Sequence, residues 1–266
     1  MRNKLYTTLF VASLLFAFAC KKNNSTGTTD TPTSSDTKAK KYLTHIIAVS
    51  ATPGVNGTAT YSTNNVYYTY DSKKRLSTMK TGETLTTYTY NDDGNLYLIS
   101  RADPSSPNRV TYEFTYADGH LKQYTLKSFK GNVLDAETPY IYVYEGDRVT
   151  EIHWEIYYVK YTYDSNGNII RIFNYGDPQF YTVYTYDDKK SMFINSLFKY
   201  PTVGSIAGSF SLNNTISLTT EGLSQNVLIT YKYNYDEDGY PTGATTSFNI
   251  ANAVTSKYTY EYSTLD

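Results

Sequence analysis

One unit recurs through this chain and restricts what it can become: an aromatic residue, any residue, a tyrosine, then a polar turn. It occurs at Tyr68-Thr69-Tyr70-Asp71, Tyr88-Thr89-Tyr90-Asn91, Phe114-Thr115-Tyr116-Ala117 and Tyr142-Val143-Tyr144-Glu145. It continues at Tyr161-Thr162-Tyr163-Asp164, Tyr184-Thr185-Tyr186-Asp187, Tyr233-Asn234-Tyr235-Asp236 and Tyr258-Thr259-Tyr260-Glu261. The second tyrosines fall 20, 26, 28, 19, 23, 49 and 25 residues apart, and the interval of 49 suggests two periods with a degenerate copy around Phe210-Ser211-Leu212-Asn213. A fixed period of this size marks a repeat architecture in which each unit is one supersecondary element.

The residues after each tyrosine pair carry hairpin chemistry, as in Asn91-Asp92-Asp93-Gly94-Asn95, Asp164-Ser165-Asn166-Gly167-Asn168 and Asp236-Glu237-Asp238-Gly239-Tyr240. Asp and Asn bond their own backbone in turns, and Gly supplies the positive φ that closes them. An apolar residue then restarts the chain, at Leu76, Leu96, Leu121 and Ile169. Alternation sets the faces: Val227, Ile229, Tyr231, Tyr233 and Tyr235 share one side, and Leu228, Thr230, Lys232, Asn234 and Asp236 the other. Period two with one aromatic face is the pattern of an antiparallel sheet wetted on one side. The 31 Tyr and 11 Phe suit this, because rings pack against cross-strand neighbours on a pleated surface. The expected fold is all-β, an antiparallel meander of some sixteen strands. A flat sheet would expose its whole ring face, so the sheet is expected to be strongly twisted, curled or spiralling.

These units resemble the YD repeats of the Rhs, teneurin and insecticidal-toxin shell proteins, with Tyr161 to Ile169 (YTYDSNGNI) the nearest copy. They also resemble lipoproteins of Bacteroidetes that carry degenerate YD-like repeats, a pattern matched by Tyr233 to Thr242 (YNYDEDGYPT). The Gly and Arg that usually precede the YD tyrosine in shell proteins are missing, and no toxin segment follows. The resemblance implies a hairpin-repeat body and an envelope location without implying a reaction.

Residues 1–19 have the form of an export signal: Arg2 and Lys4, then an uncharged apolar run from Leu5 to Phe18, shorter than a membrane span. Ala17 and Ala19 precede Cys20, the chain's one cysteine, in an arrangement that resembles the lipobox of bacterial lipoproteins. That resemblance implies acylation of Cys20 and attachment to the membrane through its acyl chains. Residues 20–41, rich in Thr, Ser, Asn and Lys, are expected to form a flexible tether with a reach of about 25 Å. The repeat body is expected over 42–266, held at the outer membrane of the cell envelope; losing Arg2 and Lys4 with the signal leaves 22 basic against 25 acidic residues, so the acyl chains rather than charge would hold it to anionic lipid.

The same balance, with its 24 basic residues scattered, shows no footprint for nucleic acid. His45, His120 and His153 lie at no ligand spacing, and the acidic loops lack the twelfth-position Glu of a calcium loop, so neither metal nor cofactor is expected. No nucleophile elbow, zinc-protease helix or phosphate loop is present, and a carbohydrate-active enzyme would need two carboxylates brought together from distant strands. Trp154, Tyr157 and Tyr158 form the densest aromatic patch and are the candidate ligand contacts. The expectation is a non-catalytic, envelope-anchored module that binds or scaffolds protein or glycan, with the carbohydrate-active enzyme and a short toxin-shell relative as alternatives.

Overall fold

A computed structural model describes residues 39–54, 58–176, 179–196, 200–203, 210–222, 225–250 and 253–265. The export signal, Cys20 and nearly all of the expected tether lie outside them. Sixteen strands follow in order: β1 (Lys41–Pro53), β2 (Ala59–Tyr70), β3 (Leu76–Thr81), β4 (Thr84–Tyr90), β5 (Leu96–Ala102), β6 (Asn108–Ala117), β7 (His120–Lys130) and β8 (Val133–Glu145). Then come β9 (Arg148–Trp154), β10 (Tyr157–Tyr163), β11 (Ile169–Tyr175), β12 (Phe180–Lys190), β13 (Asn213–Glu221), β14 (Val227–Tyr235), β15 (Pro241–Phe248) and β16 (Thr255–Thr264). Each pairs antiparallel with the next, and β1 pairs with β16 from Lys41–Thr264 to Ala51–Thr255. The all-β meander stands, but the open, spiralling sheet is corrected: the sheet closes into a barrel.

The repeat itself supplies the curvature that closes it. In seven hairpins the register slips by one residue at the second tyrosine of the motif, so that Tyr70, Tyr90, Tyr116, Tyr144, Tyr163, Tyr186 and Tyr235 each face a bulge on the following strand. A bulge bends its strand and adds local twist. Repeated at one end of every hairpin, it coils the sheet until its edges meet, which also removes the unpaired edges an open sheet would carry.

Closure puts the rings inside. Tyr68, Tyr88, Phe114, Tyr142, Tyr161, Tyr184 and Tyr260 are buried, with Leu43, Ile46, Met79, Ile99, Leu121, Tyr124, Ile152, Val159 and Ile172 around them. The middle residue of each motif points outward, and Thr69, Thr89, Thr115, Val143, Thr162, Thr185, Asn234 and Thr259 are all exposed. Hydroxyl and charge pairs recur on the outer wall: Thr69–Thr78 at 2.6 Å, Thr185–Ser217 at 2.6 Å, Thr230–Ser247 at 2.7 Å, and Lys127 to Glu113 at 2.7 Å.

The second tyrosine does more than fill space. At the turn end of the barrel the backbone ladder between adjoining hairpins stops short, and a phenol takes the carbonyl left over. Tyr70 donates to Leu43 O at 2.7 Å, Tyr90 to Leu76 O at 2.9 Å and Tyr116 to Leu96 O at 2.9 Å. Tyr144 donates to Leu121 O at 2.6 Å, Tyr163 to Val149 O at 2.7 Å and Tyr186 to Ile169 O at 2.6 Å. Leu43 lies near the start of β1, and each of the other five acceptors is the apolar residue that restarts the chain after a turn. Burial pushes the Tyr70 phenol up to about 12 and those of Tyr90, Tyr116, Tyr144, Tyr163 and Tyr186 higher still, so these donors stay protonated across the physiological range.

The motif's acidic residue closes its own turn. Asp71 Oδ1 accepts from the backbone of Lys73 and Arg75, Asp164 Oδ1 from Asn166 and Asn168, and Asp236 Oδ1 from Asp238 and Tyr240. Asp187 begins the same pattern with Lys189 N at 3.0 Å but completes it with Asn214 N at 3.1 Å. Thr215 then pairs with Tyr186 as Ile169 pairs with Tyr163. The long interval in the repeat is therefore corrected: residues 191–213 are an insertion within one turn, and Phe210-Ser211-Leu212-Asn213 is no degenerate copy of the motif.

The described parts of that insertion fold back into the barrel from the turn end. Phe193 packs edge-on against Tyr68 at 6.2 Å, and Ser196 bonds Tyr70 at 3.0 Å. Asn195 donates to Lys41 O and to the Tyr240 phenol. Tyr200 sits among Tyr116, Tyr142 and Tyr144, while Tyr142 donates to Pro201 O at 2.6 Å and Val203 N donates to the Tyr124 phenol at 3.2 Å. Its two necks are tied at Asn214, whose Oδ1 accepts from Met192 N, and at Asn168, whose Oδ1 accepts from Leu212 N.

Candidate functional site

The described residues of the insertion lie at the turn end of the lumen and reach as far as Tyr124 through Val203. Along one inner wall, rings follow one another across five strands. Tyr112 on β6 meets Tyr124 on β7 at 5.9 Å, and Tyr124 stacks on Tyr140 of β8 at 4.5 Å with planes 7° apart. Tyr140 meets Trp154 of β9 at 5.4 Å, and Trp154 meets Tyr157 of β10 at 5.8 Å. The order follows from register: Tyr124 faces Tyr140 and Trp154 faces Tyr157 directly, each pair on the inward side of the pleat. Tyr124 is fully buried, whereas Tyr112, Tyr140, Trp154 and Tyr157 are half-buried and present an edge or face to the lumen. Burial raises the phenols of Tyr112 and Tyr140, and that of Tyr124 well above its usual range, so these three keep their protons.

The three residues singled out from sequence are divided by the structure. Trp154 and Tyr157 flank the two-residue turn of Glu155 and Ile156 and share the inner wall. Tyr158, the next residue along β10, faces outward, where it stacks on His153 at 5.2 Å and on Tyr175 at 4.8 Å. It belongs to an outer ladder that continues through Phe173 and Tyr181 to the guanidinium of Arg171. A common ligand for all three aromatics is thereby corrected to two separate surfaces. Tyr112, Tyr124 and Tyr140 complete the inner strip; alternation marks each as inward in the sequence, but only register makes them adjacent.

Arg101 shares this inner surface. It lies on the same side of β5 as buried Ile99, faces Thr86 on β4 and Val110 on β6, and is close enough to the phenols of Tyr88 and Tyr112 to lower both electrostatically against the larger effect of burial. The strand carboxylates Glu113, Glu151 and Glu261 instead point to solvent, held by Lys127, by Lys160 with His153, and by His45 respectively. The half-buried rings of Tyr112, Tyr140, Trp154 and Tyr157 can give apolar contact to a ligand, and Arg101 carries a positive charge on the same inner surface. Among the described residues it offers the inner wall no pair of carboxylates for glycoside cleavage.

The acidic turns are similarly committed. Asp164 spends both oxygens on Asn166 and Asn168, and Asp236 and Asp238 each bond Lys41 at 2.7 Å. Of the histidines, His45 lies between Glu261 and Asn65, and His120 faces Asp147. Among the described residues, no three His, Cys, Asp or Glu side chains converge as metal ligands would.

No protein-family model matches the chain, and no curated protein matches it by sequence. Solved structures do resemble it. A porin-like protein from Bacteroides uniformis is 16% identical with a TM-score of 0.54, over 83% of this chain and 98% of that one. A porin-like protein from Bacteroides vulgatus is 14% identical with a TM-score of 0.48, over 84% and 100%. The TcdB2-TccC3-Cdc42 structure is 15% identical with a TM-score of 0.27, over 79% of this chain and 11% of that one. The first of these likenesses, spanning nearly all of the other chain, is a likeness of fold.

Proposed function

We propose that this protein is a non-catalytic binding module of the cell envelope, tethered to the outer membrane through acyl chains on Cys20, and that its ligand is a glycan held against the inner strip of rings. The observation that carries this reading is the inner strip of rings from Tyr112 to Tyr157, which lies beside solvent-exposed Arg101 and so borders water. Aromatic faces with polar edges suit a ligand that is apolar on its ring faces and hydroxylated at its rim.

A membrane pore is the second reading, favoured by the porin-like description of the B. uniformis protein. The polarity of the wall argues against it. A membrane-spanning barrel carries an apolar band about 25 Å tall outside and polar groups inside. Here the outside carries threonine, serine and ion pairs interspersed with the Tyr158 ring ladder and single apolar side chains rather than a continuous apolar band, and most of the motif rings are inside.

The test has two arms on the full chain. Metabolic labelling with an alkynyl fatty acid is expected to mark wild type and to be lost in Cys20→Ser; equal labelling of both rejects the anchor. Screening against immobilised glycans is expected to yield binding that Trp154→Ala weakens and Tyr158→Ala leaves alone. Binding that ignores Trp154, or an absence of binding, rejects the lumen as the site.

A further inference from the structure

Two strands run past a neighbour at the end of the barrel away from the motif turns. β8 pairs with β9 only from Ile141 onward, and β2 with β3 only from Val66 onward, so residues 133–140 and 59–65 each show one bare edge of main chain among the described residues. The two edges are guarded differently. Along β8, Pro139 has no N–H, Asp135 and Glu137 carry charge, Lys130 bonds Asp135 at 2.8 Å, and the register shifts between Ser128 and Phe129. Proline, charge and bulges are the means by which sheets blunt an open edge. Residues 59–65 (ATYSTNN) have none of them, and their register against β1 is unbroken from Ala59 to Tyr67. Residues 59–64 are exposed on both faces, and Tyr61 is 70% exposed. Hydrogen bonds at either end of β2 show which groups are bare, because alternate residues of a strand direct their N–H and C=O to opposite sides. Thr58 O accepts from Gly54 N on the β1 side, and Asp71 N donates to Arg75 O on the β3 side. Even-numbered residues therefore serve β1, and Ala59, Tyr61 and Thr63 turn their N–H and C=O groups to the bare edge.

We infer that this edge captures an extended, uncharged strand of another protein, which adds to the sheet beside β2 with its main chain bonded to Ala59, Tyr61 and Thr63. Alternating main-chain donors and acceptors are matched by another extended backbone, the mode of strand addition. The edge offers no charge for a charged partner residue to pair with, while the exposed ring of Tyr61 gives apolar contact to a β-branched or aromatic residue set opposite it. A second copy of this chain suits the edge less well, given the anchor proposed above. Two-fold antiparallel pairing about Tyr61 would set the two Lys41 residues about 65 Å apart along the strands, twice the rise of ten residues. A tether reaching about 25 Å could not bring both to one membrane.

The experiment is amide hydrogen exchange by NMR on the full chain, titrated with the capped synthetic peptide KTVTYTVTK and with the same peptide N-methylated at its central Thr-Tyr pair, which removes a donor from each of its edges. The unmodified peptide is expected to slow the amides of Ala59, Tyr61 and Thr63 and to leave those of Thr60 and Ser62, already bonded to β1, unchanged. The N-methylated peptide is expected to bind at least about tenfold more weakly, the effect of about one lost hydrogen bond. Thr63→Pro deletes a donor on the bare edge without touching the β1 ladder, so it is expected to weaken binding by at least about tenfold while melting like wild type. Tyr61→Ala, which removes only an exposed ring, is expected to fold normally and to weaken binding severalfold. No slowing with the peptide at about 1 mM, a millimolar dissociation constant being the weak limit, overturns the inference. Equal binding of the two peptides, binding that survives Thr63→Pro, or slowing along residues 133–140 instead also overturns it. Amides of Ala59, Tyr61 and Thr63 that are already slow without peptide overturn it as well: dependence on protein concentration assigns the edge to a second copy, and independence assigns it to this chain's own leader.

Discussion

Replacing Tyr144 by Phe tests whether the phenol latches hold adjoining hairpins together. The hydroxyl donates to Leu121 O at 2.6 Å, and Leu121 is 0% exposed, so the carbonyl released by the substitution has no ready access to water. A net hydrogen bond contributes about 0.5–1.5 kcal/mol, and a stranded buried acceptor costs about 1–3 kcal/mol, so the expected loss is about 1–2 kcal/mol. For a domain of this size that lowers the melting temperature by roughly 2–8 °C. Tyr262→Phe is the matched control. Its phenol is also buried but has no hydrogen-bond partner among the described residues, so removing the oxygen is expected to change stability by less than about 0.5 kcal/mol or to raise it. Urea unfolding should report a lower midpoint at unchanged slope for Tyr144→Phe alone. Burial keeps both phenols far above their usual range, so the contrast should persist from mildly acidic to mildly alkaline buffer. Equal losses in the two variants would refute the latch and reduce the second tyrosine to a space-filler.

Other perturbations address the turns, the insertion and the pH response. Burial opposes ionisation of Asp71 and Asp236, but hydrogen bonds and charge from Arg75 and Lys41 outweigh it and hold both carboxyls below the usual range. Their contribution is therefore complete above the unfolded value of about 3.9 and is lost as pH falls below it toward the folded values. Asp71→Asn and Asp236→Asn should be less stable at neutral pH and should flatten the acid limb of a stability profile. Deleting residues 191–213 joins Lys190 to Asn214 and restores an ordinary turn after Asp187; circular dichroism should retain the strand signal, while thermal stability falls and a hydrophobic dye binds the uncovered rings. Gly119 has φ +78 and open space where a Cβ would go, so Gly119→Ala should cost about 1 kcal/mol in a melt from backbone strain alone.

How far the residues reveal the fold depends on the range of the interaction. Hairpins, turns and ring-inward alternation are local, and they are legible in units such as Tyr161 to Ile169. Closure is not local: it depends on the first and last strands finding register with each other, which no property of Lys41–Pro53 or Thr255–Thr264 announces. The target of each second tyrosine was hidden for a similar reason, since the acceptor is a main-chain carbonyl of the preceding hairpin and carries no side-chain signature. Phe210-Ser211-Leu212-Asn213 imitates the motif closely enough to disguise an insertion. Tyr157 and Tyr158 are neighbours in sequence, but adjacent residues in a strand face opposite ways. Arg101 could have been placed inward by its spacing from Ile99, but an isolated arginine in a turn-rich stretch gives no other sign.

The position of the insertion also settles which way the molecule presents itself. Lys41 starts β1 beside Thr264, at the end of the barrel that the insertion fills. Anything gripping the chain ahead of Lys41 holds it by its stopper, and the turn flanked by Trp154 and Tyr157 lies at the opposite pole. Lengthening or shortening the leader would raise or lower that pole without turning it toward the point of attachment.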